Sequence, residues 1–315
     1  MTRTLTRLLA SIALLALCVS AQAEQRVTQP YLGITYTDRT ETAPRDVHMH
    51  IVQIDLTAPG LRFTLSRPAG GREVVRQTTT AFLRQEGAQL AINAHFFLPF
   101  PSTDTEAWLV GIAASDGRVY SAFETPEQRY AIVVDAPGVN IDASNHATLV
   151  HRVDSAASPR GGNRVRENVT LWTTVSGSAQ IVTDGAKTVP VYADAEHAGA
   201  LLTPGGPGEP YSNARSWYDA VNARTVLGLS RDGRTLTLFT VDRGGGSEGM
   251  RVGEAADVLL RDYGVWNALN LDGGGSTSMA MEDPVTHERA LINRSSDNPD
   301  GRAVGSSLAV FARPR

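Results

Sequence analysis

Short apolar runs, each closed by a turn signal, recur along this chain and constrain its fold more than any other feature. Val47, Met49 and Ile51 alternate with His48, His50 and Gln53, the period of a half-buried strand. Pro59-Gly60 makes a turn, and Leu61, Phe63 and Leu65 run back. Turn signals follow at Asp116-Gly117, Pro137-Gly138, Gly161-Gly162, Ser176-Gly177 and Asp184-Gly185. The strand opening at Arg224-Thr225 returns through Asp232-Gly233 as Thr235 to Asp242. Helical spacing occurs twice, from Val74 to Leu83 before Gly87 and from Met250 to Tyr263 before Gly264. No repeat of solenoid or propeller length is visible. The pattern predicts an α+β chain, strand-rich, with a mixed or antiparallel sheet and few helices in a single domain over 47–315. Residues 24–46, polar and rich in Pro and Thr, read as a lead-in with one edge strand. Segments 152–168 and 203–215 read as loops.

The N-terminus carries an export signal by pattern. Arg3 and Arg7 precede an apolar run from Leu8 to Val19, and Ala21-Gln22-Ala23 fits a cleavage site. The run is too short for a good membrane span, so no integral membrane segment is expected after cleavage, and the protein is expected in the periplasm or secreted. Cleavage after Ala23 removes Cys18, the one cysteine, so neither a disulfide nor a thiolate metal site is expected. Net charge is −4 for the full chain and about −6 without the two leader arginines, which argues against a nucleic-acid surface. Lys187 is the only lysine, so an anion site must rely on arginine.

Two glycine triplets stand out. Asn270-Leu-Asp-Gly-Gly-Gly-Ser-Thr-Ser-Met279 follows an apolar run, and Arg243-Gly-Gly-Gly-Ser247 follows the strand ending at Asp242. Three consecutive glycines are costly in order and suit a backbone that a ligand approaches closely. Neither nucleotide-binding glycine pattern is present. His48 and His50 share one strand face at metal-capable spacing, but without a third ligand in view they read as solvated or hydrogen-bonded strand residues. Asn93 and His95, two apart in Gln89–Phe97, are expected to share a face.

The chain resembles the phosphodiester glycosidase family from about Val47 to Phe311. The resemblance rests on Ala91-Ile-Asn-Ala-His-Phe-Phe97, Asp184-Gly185, Ala223-Arg-Thr-Val-Leu-Gly228, Thr240-Val-Asp-Arg243, Glu248-Gly-Met250, Asn270 to Thr277, Asn293 and Arg302. This sequence departs from the family in three places. His95 stands where glycine is frequent, Ala223 replaces a usual proline, and Asp242-Arg243-Gly244 inverts an Asp-Gly-Arg order. The resemblance implies hydrolysis of a sugar C1–O–phosphate linkage. That reaction builds cationic character on the sugar while an anionic phosphate departs, so it needs a carboxylate and anion neutralisation.

On this reading Asp272 is the leading carboxylate, Asp242 the second, and Arg224 the phosphate clamp, with Arg243 and Arg302 behind it. Asn93 and His95 would bind sugar hydroxyls or phosphate. The N–H groups of Gly273, Gly274 and Gly275 and the hydroxyls of Ser276 and Thr277 would face the anion. Asp184 and Asn293 read as turn formers. No cofactor is expected, although Asp272, Asp242 and Asp184 leave room for a divalent cation such as calcium or magnesium. The expected partner is a carbohydrate or glycosyl phosphodiester. The alternatives are a serine hydrolase with Ser276 as nucleophile, whose motif lacks its last glycine, and a non-catalytic exported glycan-binding protein, which the 6% aromatic content disfavours.

Overall fold

The computed structural model describes residues 23–100, 102–123, 137–153, 162–189 and 218–315. Residues 1–22 of the expected leader, the loop expected over 203–215, and part of that expected over 152–168 lie outside the described residues. Among the described residues all strand pairings are antiparallel, so a mixed sheet is not observed there. Strands dominate, and two α-helices accompany them among the described residues.

The central sheet has eight strands. In spatial order they are Glu24–Tyr31, Ile34–Glu41, Val47–Asp55, Thr235–Val241, Arg224–Ser230, Val265–Asn270, Ala179–Thr183 and Ala186–Lys187. The segment 24–46 therefore supplies a full hairpin rather than one edge strand, because Ile34 to Glu41 pairs residue for residue with Val47 to Ile54. A five-stranded sheet packs nearby in the order Arg289–Leu291, Met279–Glu282, Leu90–Asn93, Ser307–Phe311 and Arg62–Leu65. A second five-stranded sheet and a small three-stranded one complete the sheets of the described residues.

Alternation assigns the two faces of the central sheet to two cores. Val52, Ile54, Leu227, Leu229, Leu236, Leu238 and Leu269 pack with Leu65, Leu90, Ile92, Leu308 and Val310 of the other sheet. Met49, Ile51, Val226, Phe239 and Val241 point the opposite way, onto Val252, Ala255, Ala256 and Leu259 of the helix Val252–Tyr263. At the start of that helix the Glu254 carboxylate accepts from the Arg251 N–H (2.7 Å), and the helix stops at Gly264 in the left-handed region, φ 63°. The shorter helix, Thr79–Glu86, is capped by Thr78 and ends the same way at Gly87. Truncating a buried leucine in either core is expected to cost about 2–5 kcal/mol.

The site follows from where the apolar rows end. Tyr36, Val52, Leu238 and Leu227 form one cross-strand row facing the first core. Two residues further along each strand the row becomes Asp38, His50, Thr240 and Thr225 on the same face. One end of an otherwise oily sheet face is thus polar, and the glycine loops attach there.

Candidate active site

Asp272 follows the strand Val265–Asn270, and its backbone is fixed from both sides. Its N–H donates to the Ala94 carbonyl (3.0 Å), and its carbonyl accepts from Asn93 Nδ2 (2.6 Å). Asn93 Oδ1 accepts from Thr225 Oγ1 (2.9 Å) and Ser278 N–H (2.9 Å), so one fully buried amide ties three chain segments together. Asn93 therefore positions Asp272. It is not the sugar ligand expected from sequence, because its side chain is already engaged by protein.

The triplet after Asp272 has three different reasons for glycine. A Cβ at Gly273 would meet the Ala223 carbonyl at 2.9 Å, Gly274 has φ +59°, and a Cβ at Gly275 would lie 2.3 Å from Arg302 Nη2. Gly274 to Ser276 form a 3₁₀ turn. Of the three N–H groups expected to face an anion, that of Gly274 donates to the Ala223 carbonyl (2.9 Å) and that of Gly273 to the Asp272 carboxyl, while the N–H groups of Ser276 and Thr277 close the turn onto the carbonyls of Gly273 and Gly274. Thr277 is fully buried, and its hydroxyl accepts from Thr225 Oγ1 (3.3 Å).

The half-buried Asp272 carboxyl is pushed up to about 7 by burial, although Ser276, Arg302, the Gly273 N–H and Arg76 all favour its charged form. Such a group changes protonation near neutral pH. Arg302 connects it to open space. Its Nε donates to Asp297 (2.9 Å), its Nη1 approaches Ser276 Oγ (3.5 Å), and its guanidinium lies 5.0 Å from the Phe100 ring centre. A cavity of about 400 Å³ opens beside it, lined by Arg302, Arg243, Asn222, Gly274, Gly275 and Asp297 among others. Arg243 is exposed, donates to Asn222 Oδ1 (3.3 Å), and has no carboxylate partner among the described residues. Two guanidiniums thus border the same cavity, one of them uncompensated.

Four expectations need correction. Arg224 is not the clamp. It is 5% exposed and, paired opposite Val241, projects to the helix side of the sheet, where Nε donates to the Met250 carbonyl (2.9 Å) and Nη2 to that of Ala220. Burial lowers its pKa to about 10. Asp242 is 1% exposed and reaches no open space. Its Oδ1 accepts from Asn293 Nδ2 (3.2 Å) and Arg294 N–H (3.0 Å), and its Oδ2 faces His50 Nε2 (3.3 Å) and His48 Nδ1 (3.5 Å). It is a brace, not a second catalytic carboxylate. His95 does not share a face with Asn93, because the strand ends at Asn93. The fully buried ring sits against Ser306, the Ile112 carbonyl and the Ser176 N–H, and burial lowers its pKa to about 4. Asn293 is no turn former either, since it joins Asp242 to Thr277 and Met279. Asp184, by contrast, does take a left-handed turn conformation (φ 50°) and accepts from Trp266, apart from the other two aspartates.

Sequence reasoning missed Arg76, Asn222 and Phe100. Arg76 acts on Asp272 through its charge while its guanidinium donates to the carbonyls of Ser102, Asp104 and Ala303. Nothing in Val75-Arg-Gln-Thr78 signals this, because the contact depends on a turn far along the chain. Phe100 is 47% exposed, a large aromatic surface at the edge of the site. Its signal was weak but present, in an unalternated Phe-Phe-Leu-Pro-Phe run.

The site is thus an aspartate–triglycine loop on an antiparallel, strand-rich fold, with a cavity bordered by two arginines. The sequence pattern of the phosphodiester glycosidase family matches residues 86–311, and the chain belongs to that family. Two solved structures share the fold. One is a Burkholderia pseudomallei protein described as exported, with TM-score 0.59 and 15% identity over 93% of this chain and 97% of that one. The other is the zebrafish N-acetylglucosamine-1-phosphodiester alpha-N-acetylglucosaminidase catalytic domain, auto-inhibited by its pro-peptide, with TM-score 0.56 and 19% identity over 92% of this chain and 88% of that one. No curated protein sequence matches the chain. No helix among the described residues is long and apolar enough to cross a membrane.

Proposed function

We propose that this protein is an exported hydrolase that cleaves the sugar C1–O bond of glycosyl phosphodiesters. The observation that carries this reading is one carboxyl poised near neutrality, Asp272, in the field of Arg302, which borders a cavity together with Arg243. In the proposed reaction the C1–O bond breaks and its electrons leave on the phosphate oxygen. Arg243 and Arg302 neutralise that departing charge. A phosphate leaves readily without protonation, so Asp272 acts in its ionised form, on the water that attacks C1 or on the cationic sugar. Phe100 offers an apolar face for the sugar ring. The resemblance of the fold to the zebrafish enzyme supports the substrate class, and the N-terminal pattern supports export.

The test is a turnover screen of α- and β-linked sugar 1-phosphodiesters beside plain glycosides, with wild-type protein and Asp272→Asn. The expected outcome is turnover of phosphodiesters only, lost in the variant. Binding without turnover by the wild type would sink the enzyme reading, and full turnover by the variant would sink the role of Asp272.

A further inference from the structure

The polar end of the central sheet holds a group of side chains that the proposed hydrolysis does not use. His48 and His50 lie two apart on one strand and so share a face. Asp38 stands directly opposite His50 on the neighbouring strand, and ligand atoms of Asp38, His48 and His50 all lie within 4.8 Å of one another. Asp242 enters from the other side, with Oδ2 3.3 Å from His50 Nε2 and 3.5 Å from His48 Nδ1. Nitrogen and oxygen ligands about 2.0–2.2 Å from a tetrahedral ion are separated by about these distances.

The outer bonds point the same way. His48 Nε2 lies 2.5 Å from Asp38 Oδ1, and a carboxylate only accepts, so the imidazole proton belongs on Nε2. The Nδ1 lone pair of a neutral His48 then faces the Asp242 oxygen, two acceptors with no hydrogen between them. A cation between them, a proton or a metal ion, relieves that contact. His50 is held at its other nitrogen by the Tyr36 hydroxyl (2.8 Å), the kind of outer partner that fixes metal-binding imidazoles. A second observation is independent of the cluster's own bonds. Thr240, fully buried and paired directly across from His50, has a hydroxyl with no hydrogen-bond partner.

We propose that His48 Nδ1, His50 Nε2 and Asp242 bind one divalent transition-metal ion of the zinc type, with Asp38 holding His48 and Tyr36 holding His50 from outside. Two imidazoles and one carboxylate, with a water in the fourth place, form a mixed nitrogen–oxygen set suited to such an ion. His48 and Asp38 are partly exposed, at 36% and 40% of their side chains, which leaves an entry path. The ion does not touch the substrate. It fixes Asp242, whose other oxygen holds Asn293 and Arg294, and Asn293 holds Thr277 and Met279 just after the Asp272 loop. The ion therefore braces the loop.

The test uses the whole protein, purified without a histidine tag, stripped with a chelator and titrated with Zn²⁺ and separately with Co²⁺. The expected result is one ion per chain, a melting temperature raised by several degrees, and the strong visible absorption of four-coordinate cobalt. His48→Ala, at a partly exposed position, should fold and lose the cobalt spectrum and the shift, while Asp184→Asn keeps both. Absence of stoichiometric binding, or cobalt spectra unchanged by His48→Ala, overturns the proposal. A melting temperature that depends on pH through His48 but not on Zn²⁺ would also overturn it, assigning the bridging cation as a proton. None of these readouts requires turnover, so the metal site fails or stands separately from the hydrolase reading.

Discussion

Asp272 and Asp242 look alike in sequence, each at the end of a strand and each followed within two residues by three glycines. In the structure they diverge. Asp272 is half-buried, two residues before the cavity-lining Gly274, and burial outweighs two arginines and raises its pKa to about 7. Asp242 is sealed, and four groups (Asn293, Arg294, His48 and His50) surround its oxygens. Their glycines differ as well. All three of Gly244, Gly245 and Gly246 have positive φ and shape a turn, whereas in the other triplet only Gly274 does, and Gly275 clears room for Arg302. A carboxylate at a glycine-rich strand end is thus a position, and its neighbours decide whether it reacts or supports.

The comparison breaks first at Asp272→Asn. Turnover is expected to fall by about 10²–10⁴-fold with folding retained, measured as initial rates on a sugar 1-phosphodiester. Asp242→Ala should instead leave the donors of Asn293 and Arg294 buried and unpaired, costing about 2–4 kcal/mol, visible as an earlier urea midpoint. An unchanged midpoint would mean Asp242 braces nothing.

Stability against pH sharpens the contrast. The folded pKa of Asp272, about 7, lies above its ordinary 3.8, so the folded state holds a proton that the unfolded state releases in that interval. Its carboxyl therefore costs progressively more stability as pH rises between those values, and the full cost is present above about 7. Asp272→Asn should melt like the wild type near pH 4 and above it at pH 8, by on the order of 2 kcal/mol given its partial exposure. A smaller difference separates the arginines. Arg243→Ala should weaken phosphodiester turnover by about 10–100-fold and barely affect a neutral leaving group. Arg224→Ala should lower melting temperature and affect both substrates equally, because its guanidinium holds the Met250 and Ala220 carbonyls.

Most strands and the C-terminal ends of both helices were legible in the sequence because local rules set them, whereas Val74 and Val75, read into the first helix, form a short strand ahead of it. Alternation marked Val47–Asp55, and glycine in the left-handed region ended both helices, at Gly87 and Gly264. The family was legible too, through the order of its short motifs. The site was half legible. Arg243 and Arg302 border one cavity and Arg302 acts on Asp272, but the directions of Arg224, Asn93 and Asp242 depend on which sheet face each occupies. That is set by register across strands distant in sequence. The same holds for Asp38, which no spacing connects to His48 and His50, and for Arg76.

The pH dependence of phosphodiester turnover tests most directly that ionised Asp272 is the working group. The rate should climb with pH, level off above an apparent pKa of about 7, and show no such limb in the residual activity of Asp272→Asn. A rate that falls through that range, or a rising limb that survives in Asp272→Asn, would contradict the assignment.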